Sequence, residues 1–400
     1  MIPRHAPPFD LPGLLSVLFQ STDVGQAALE KLCADEFHVC ETILLPSVRS
    51  GILLALRAVE SVVETVVGPA YTCGVVHQAM RLSGIPVRFI DSERCGYLMD
   101  PGDLRKLAKG PSAIVLCETY GLRYSMHGAD FGDDHLQGVR LWDMAMCVPH
   151  ADDLCRLGTN DVALMSFGLG KCLYAGWGGL LLTQDSQLAA RIRDLRDHSI
   201  GKITWATRLR HGMEVLVRTA AHVRFVYGIG RILADWRNRR TPCSRISESS
   251  VEAAPVPVVE GLSQEWTESM TPLNRKLARA NLGGAPQNGE LRRRQAVAYY
   301  RFLEPWGIVR GFDMESLPES HFPIRVAPNV RTELRQYLAC RGIDTATYFP
   351  FPKSIQRTEY PNTAQASDEV VLLPLGSSIR EGEIEVVAKH VIDGLRRITS

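Results

Sequence analysis

A lysine in a glycine-rich, otherwise uncharged turn is the first residue that could do chemistry. Lys171 is the single charged residue between positions 166 and 183, and the apolar run 180–182 predicts a buried strand after the turn. Burial lowers the pKa of a lysine and makes its neutral amine available as a nucleophile or base. The turn alone leaves two interpretations open, a Schiff-base lysine and a surface lysine.

An aspartate at the end of an apolar strand is the second candidate. Asp143 follows Leu141 and Trp142 and precedes the apolar segment that begins at Met144. A buried carboxylate there needs a cationic or proton-donating partner, and a pyridinium nitrogen would serve. The other interpretation is a carboxylate that caps a helix N-terminus.

Small and hydroxyl residues stand at the start of a strongly apolar helix. Ser47, Arg49 and Ser50 precede the run 52–59. Backbone N–H groups at a helix start bind anions such as phosphate, although a plain N-cap explains the same residues.

Two other phosphate motifs do not fit the lysine turn. A P-loop needs glycine where Met165 stands and Ser or Thr where Cys172 stands, and a dinucleotide fingerprint needs glycine where Leu173 stands. Four acidic residues in this part of the chain lack the spacing of metal ligands: Glu118, Asp143, Asp152 and Asp153. No metal site is therefore predicted.

The elements that must position these residues alternate between strand and helix. Strands are predicted at 65–67, 87–90, 113–117, 139–142 and 162–165. This alternation favours an α/β fold with parallel strands and right-handed crossovers. Ligands bind beyond the carboxyl ends of such strands. The segments that follow the strands should therefore share one crevice: 69–73, 118–120, 143 and 166–171.

Composition describes a globular protein of more than one domain. The 400 residues carry a net charge of +1, which gives no global field for nucleic acid. Ten cysteines lack CxxC spacing, which argues against a zinc site and favours free thiols in a reducing compartment. We expect a cytoplasmic protein, because neither a signal peptide nor a spanning apolar stretch is present.

The order of the motifs resembles the DegT/DnrJ/EryC1/StrS family, the pyridoxal-phosphate (PLP) sugar aminotransferases of fold type I. The resemblance covers roughly residues 40–200 and 265–397. In the first part it rests on 47–56, Pro-Ala-Tyr-Thr at 69–72, 114–121, Asp-Met-Ala at 143–145, Ser-Phe at 166–167 with Lys171 and Gly-Gly at 178–179, and 196–199. In the second part it rests on 322–325, 341–345 and 373–375.

The resemblance implies a fold type I PLP-dependent transferase. Its large domain is expected around a mostly parallel seven-stranded sheet, with a smaller α+β C-terminal domain. We expect the large PLP-binding domain with its lead-in at 1–200, a helical basic insertion and linker at 201–262, and the smaller domain at 263–400. It also implies a homodimer with shared active sites.

The resemblance also implies roles for single residues. Lys171 would hold PLP as a Schiff base and, once released, move a proton between carbons; Asp143 would keep the pyridinium nitrogen protonated. The other expected cofactor-binding residues are Arg49, Ser50, Cys73, Ser166 and Asn274, and the expected substrate contacts are Tyr71, Tyr120, Met146 and Trp177.

Several residues depart from the family pattern. Met146 stands where the family commonly has Gln or His, and Trp177 stands where an acidic residue is common. Asn274 matches the partner-subunit loop only with a one-residue slip. These changes leave the cofactor chemistry in place and leave the substrate open.

Residues 202–262 are longer than the usual family connection. The segment 205–236 predicts a helix with many arginines among apolar residues, and 241–262 predict a linker. The helix fits internal packing or a dimer contact, an acidic substrate, or, least favoured, a membrane surface through 205–240.

The expected activity is transfer of an amino group from glutamate or glutamine to a keto-sugar nucleotide or a related cyclic ketone. The alternative is a PLP enzyme of elimination, decarboxylation or bond formation in natural-product biosynthesis. A third reading, a non-catalytic regulator, is less consistent with the presence of both Lys171 and Asp143.

Overall fold

The chain is a sheet-centred α/β protein with a second, smaller core. The computed structural model describes residues 1–20, 25–108, 110–124, 138–148, 150–154, 157–201, 203–230 and 264–400. Sequence predictions for 231–240 and for the linker at 241–262 fall outside the described residues.

Seven strands form the central sheet in the order β1-β7-β6-β5-β4-β2-β3. They are β1 (Glu41–Leu45), β2 (Thr65–Pro69), β3 (Val87–Ile90), β4 (Ser112–Cys117), β5 (Arg140–Asp143), β6 (Asp161–Ser166) and β7 (Gly179–Thr183). β7 runs antiparallel to β1 and β6, and the pairs β2–β3, β2–β4, β4–β5 and β5–β6 are parallel. The predicted mostly parallel seven-stranded sheet is confirmed.

Helices cover both faces of the sheet because its strands are apolar on both faces. Val162 and Leu164 of β6 point into one core, and Ala163 and Met165 point into the other. Full burial of one such Leu or Val stabilises the fold by about 1.5–3 kcal/mol.

The helices of the first part are α1 (Leu11–Gln20), α2 (Gln26–Phe37), α3 (Val48–Ala58), α4 (Gly74–Leu82), α5 (Pro101–Leu107), α6 (Ala151–Leu154), α7 (Ser186–Ser199) and α8 (Trp205–Ala221). Those of the second part are α9 (Gln264–Thr267), α10 (Pro272–Leu282), α11 (Ala285–Leu303), α12 (Pro328–Cys340), α13 (Pro361–Glu369) and α14 (Ile384–Thr399). No described helix combines the length and apolarity needed to cross a bilayer.

The smaller core lies in the C-terminal part. β8 (Phe322–Arg325) and β9 (Val370–Leu373) pair antiparallel, and α11, α12 and α14 supply apolar residues around them. α10 packs instead into the core beside the large sheet. The N-terminus contacts this C-terminal part, since the backbone N–H of Ile2 donates to Gly342 O at 2.6 Å.

The structure corrects two sequence expectations. Residues 1–45, which the sequence pattern describes as a poorly patterned lead-in with short helical segments, end in strand β1, which is buried from Thr42 to Leu45. The helix expected over 205–236 is interrupted, because α8 ends at Ala221 and a separate helical stretch covers 224–230.

Candidate active site

The carboxyl ends of β4 and β5 place a thiol beside a carboxylate. Cys117 and Asp143 are register partners in adjacent parallel strands. Asp143 is 9% exposed. Its Oδ1 accepts a hydrogen bond from the backbone N–H of Ala145 at 3.1 Å, and its Oδ2 accepts one from Cys117 Sγ at 3.7 Å. Burial raises the pKa of Asp143, and the nearby positive charge of Lys171 opposes that rise.

Lys171 lies on the loop that joins β6 to β7. Its backbone N–H donates to Gly168 O at 3.3 Å, and Gly170 has a φ of 80°, which favours glycine. Ser166 Oγ accepts from the backbone of Gly168 at 3.3 Å, so its hydroxyl proton points elsewhere. Phe167 N donates to Gly178 O at 3.0 Å and closes the loop.

Cys73 lies close enough to Lys171, Arg49 and Asp143 for their charges to affect the pKa of its thiol. It precedes the first turn of α4, and burial raises the pKa of its thiol. The structure therefore brings together residues that follow β2, β5 and β6, as the strand order predicted, and adds Arg49 from the start of α3.

Ser50 is turned away from an open anion site. Its hydroxyl donates to the carbonyl of Trp266 at 2.8 Å, and its backbone N–H donates to Ser47 Oγ at 3.3 Å in a helix N-cap. The guanidinium of Arg49 lies 5.9 Å from the centre of the Trp266 ring. Arg49 is thus the residue at this helix start whose charge suits a phosphate.

Three predicted substrate contacts share one aromatic wall. The hydroxyls of Tyr71 and Tyr120 lie 2.5 Å apart, Phe349 stacks on Tyr120 at 5.5 Å between ring centres, and Met146 packs in the same cluster. Tyr71 and Tyr120 are at most 1% exposed, and burial raises the pKa of both hydroxyls. They shape the wall rather than offer an ionised oxygen.

Trp177 and Asn274 belong to a second cluster around His211. Trp177 Nε1 donates to Glu268 O at 2.9 Å, and its ring lies 4.9 Å from that of His211. Asn274 Oδ1 is 2.9 Å from His211 Nδ1 and accepts from Thr271, while its Nδ2 donates to Ala175 O at 2.7 Å. A phosphate contact from Asn274 would require one of these bonds to be exchanged.

A histidine missed by sequence reasoning covers the lysine loop. A Cβ added to Gly170 would lie 3.3 Å from the His5 ring, so the imidazole rests against the residue before Lys171. His5 stacks on His222 at 5.6 Å and meets His321 edge-on at 6.5 Å. Burial and nearby Arg4 lower the pKa of His5 to about 3.

His321 was also missed, although it directly precedes a segment that carried the resemblance. It is buried, the charge of Lys171 lies close enough to lower its pKa, and its Nε2 has no hydrogen-bond partner among the residues that the structure describes. Burial lowers its pKa well below the ordinary value, so it is a neutral imidazole beside the lysine. Local sequence pattern could not indicate a role for His5, because its contacts are with residues far away in the chain, His222 and His321.

Three chain segments pack over the lysine loop and are called the roof below: residues 1–7, 218–227 and 342–348. Arg224 binds Glu383 through two nitrogens at 2.5 and 2.7 Å, and Tyr227 donates to Asp344 Oδ2. Ser377 donates to Ala6 O at 3.0 Å. The described part of the basic insertion is therefore docked on the C-terminal part.

A mostly parallel sheet with a lysine after one strand and a buried aspartate at the end of its neighbour defines a fold type I PLP-dependent transferase. The chain belongs to the DegT/DnrJ/EryC1/StrS aminotransferase family, which it matches over residues 22–222. Membership makes it a PLP-dependent aminotransferase, and pyridoxal phosphate is the cofactor of this class.

Solved structures show the same fold over the whole chain. PseC of Helicobacter pylori, an aminotransferase of pseudoaminic acid biosynthesis, is 14% identical, covers 99% of this chain and 99% of its own, and has a TM-score of 0.66. The putative sugar aminotransferase Spr1654 of Streptococcus pneumoniae in its PLP form is 15% identical, with 98% of each chain covered and a TM-score of 0.68. DesI, solved with its TDP-sugar product, is 18% identical over 100% of this chain and 94% of its own, with a TM-score of 0.68. No curated protein matches the chain.

Proposed function

We propose that the protein transfers an amino group from glutamate or glutamine to a keto-sugar nucleotide or a related cyclic ketone, through a Schiff base on Lys171. The observation that carries this proposal is the buried carboxylate of Asp143 with Lys171 as a nearby cation. Within the described residues the Asp143 carboxylate accepts from a thiol and one backbone amide, and it fits a further cationic donor such as a pyridinium N–H.

Asp143 and Lys171 divide the work at the reacting atoms. When bound, PLP supplies an electron sink for negative charge at the substrate carbon. Asp143 holds the proton at the ring nitrogen, and the Lys171 amine, once free, moves the proton at the reacting carbon. Cys73, at the start of α4, would pack against the ring of the bound cofactor.

The phosphate is bound by Arg49, the first turn of α3 and Ser166. Arg49 adds a charge-assisted bond, and Ser166 can donate because its oxygen already accepts from Gly168. Ser50 positions this turn by tying it to Trp266. We assign Asn274 to the α10 cap rather than to the phosphate, because its amide is bonded within its own chain.

The acceptor lies between the lysine loop and the roof, and Tyr71 and Tyr120, at most 1% exposed, shape this region through packing. DesI was solved with a TDP-sugar product, which supports a keto-sugar nucleotide here. Trp177 contacts His211 of α8, so its effect on the acceptor would be indirect, through the position of that helix. The alternative, a PLP enzyme that does not transaminate, draws support from Met146, whose buried thioether offers the substrate no strong hydrogen bond.

We further propose a homodimer in the cytoplasm with shared active sites. Large apolar side chains recur every four residues on α8 and remain exposed: Trp205, Leu209 and Met213. Exposed apolar residues of α1 lie on a helix packed against α8, among them Leu15 and Phe19. A second copy of the chain would cover this face.

A half-reaction assay separates the two activities. The purified protein is loaded with PLP, freed of excess cofactor and mixed with single amino acids, and the released keto acid is measured. Glutamate or glutamine should yield one equivalent of keto acid and convert the cofactor to its amine form. Release of carbon dioxide or ammonia without that conversion would favour the alternative.

A further inference from the structure

We propose that Cys117 is a positioning residue that sets the basicity of Asp143 through its thiol, and that Thr72 in turn orients the thiol. The proposal rests on the proposed function, because a change in the basicity of Asp143 would act on the ring nitrogen of the bound cofactor. No motif in the sequence singled out Cys117.

The sheet places the three groups in a row. Thr72 follows β2, Cys117 ends β4 and Asp143 ends β5, and these strands are neighbours in the order β5-β4-β2. Cys117 and Asp143 are register partners, so their side chains leave the sheet on the same side. Each of the three residues is at most 9% exposed.

The thiol donates a hydrogen bond to the carboxylate. Cys117 Sγ donates to Asp143 Oδ2 at 3.7 Å, and Asp143 in turn raises the pKa of the thiol, as expected for a proton held between them. The Thr72 side chain adjoins the sulfur and lowers the pKa of the thiol. The thiol therefore lies between the Thr72 side chain and the Asp143 carboxylate.

The thiol remains a donor at physiological pH. Cys117 is fully buried, and burial raises its pKa well above the ordinary value. It is thus protonated and poorly nucleophilic. Its donation opposes the rise in the pKa of Asp143 that burial causes.

Removal of the donor has a defined effect. Without Cys117 the carboxylate becomes a stronger base, and the proton shared with the ring nitrogen moves toward Asp143. With PLP bound, the ring would then supply a weaker electron sink, and a Schiff base on Lys171 would be more basic. We expect this shift because each donor to a carboxylate favours its charged form.

The test compares Cys117→Ala, Cys117→Ser and Cys33→Ala with the wild type, each loaded with PLP. The readouts are PLP affinity by absorbance titration and the pH midpoint of the visible band. Cys117→Ala should bind PLP about fivefold more weakly and raise the midpoint. Cys117→Ser, which keeps a donor, should restore both values.

Cys33→Ala controls for loss of a buried thiol. Cys33 is fully buried in α2 and belongs to the core, so its removal leaves a similar cavity. It should lower thermal stability without moving the midpoint. Thr72→Val should move the midpoint in the same direction as Cys117→Ala, by less.

Two results would overturn the proposal. One is a Cys117→Ala midpoint equal to that of the wild type, and the other is a Cys117→Ser midpoint that shifts as far as Cys117→Ala. Wild-type protein that forms no visible band with PLP would overturn the proposed function itself. The outcomes for the two proposals are therefore distinct.

Discussion

Arg224 and Glu383 join the basic insertion to the C-terminal part through a two-pronged ion pair, with nitrogen–oxygen distances of 2.5 and 2.7 Å. Arg224 also donates to Ser378 O at 3.2 Å. This pair holds the segment whose His222 stacks on His5, which rests against the lysine loop. The insertion is thus linked to the candidate active site by side-chain contacts.

Arg224→Ala should loosen the roof with little loss of global stability. A partly exposed ion pair contributes about 0–1 kcal/mol, yet this one joins the segment directly to the C-terminal part. Hydrogen exchange in residues 218–227 should become faster. Arg294→Ala, which removes another pair with Glu381 at 2.6 Å, is the matched control and should leave that segment protected. Equal exchange in the two variants would contradict the linkage.

Acid should release the same contact. Hydrogen bonding to Arg224 lowers the pKa of Glu383 below its ordinary value. The stabilising contribution is therefore complete above the carboxyl's unfolded pKa and is lost as the pH falls through the lower folded pKa. Hydrogen exchange in 218–227 at pH 3 and pH 6 checks this, and a pH response that persists in Glu383→Gln would assign it to another group.

His5→Asn should reduce the sensitivity of folding to mild acid. Because burial lowers the pKa of His5 to about 3, the unfolded chain binds a proton below about pH 6.5 that the folded chain does not. Stability therefore falls between those values, by about 2 kcal/mol at pH 5. Urea unfolding at pH 7 and pH 5 measures it.

The control for that measurement is an exposed histidine. His198 on α7 is 77% exposed at its side chain, and a bond to Asp194 raises its pKa. His198→Asn should retain the wild-type loss of stability at pH 5. If His5→Asn lost as much stability as the wild type, the neutral imidazole of the half-buried His5 would not be the source.

Much of the sheet could be predicted from sequence because its strands are continuous apolar runs. The prediction 87–90 matches β3, and 162–165 lies within β6. β1 was missed because its five residues follow a helix and become a strand only through pairing with β7. Long-range pairing is invisible to local pattern.

The site divides in the same way. Lys171 and Asp143 could be predicted because strand ends determine where they lie. His5, His222 and His321 could not, because their contacts join positions far apart in the chain. Ser50 and Asn274 were expected to bind cofactor, and only the structure shows which atoms their side chains already bond.

Asn274→Ala should destabilise the fold and leave PLP affinity nearly unchanged. The side chain caps α10 with Thr271 and binds Ala175 O, so its loss should cost about 2–4 kcal/mol. Thermal unfolding and absorbance titration with PLP at low temperature separate the two effects. A tenfold loss of PLP affinity in the folded variant would restore the phosphate role.

Replacement of exposed apolar residues on α8 should break the homodimer. Leu209 and Met213 are 58% and 50% exposed one helical turn apart. The double change to Glu should yield a monomer by light scattering, whereas Val386→Glu on α14, 49% exposed, should leave the dimer intact. A wild-type monomer that sediments with anionic vesicles would contradict the dimer and identify a membrane contact.

The central claim is that Lys171 carries the cofactor beside Asp143, and borohydride reduction tests it most directly. The PLP-loaded protein is reduced, digested and analysed by mass spectrometry, with Lys171→Ala and Asp143→Asn in parallel. We predict a visible band that reduction bleaches, a phosphopyridoxyl group on the peptide containing Lys171, no band in Lys171→Ala, and weaker PLP binding in Asp143→Asn. A wild-type band with the label on another lysine would contradict the account.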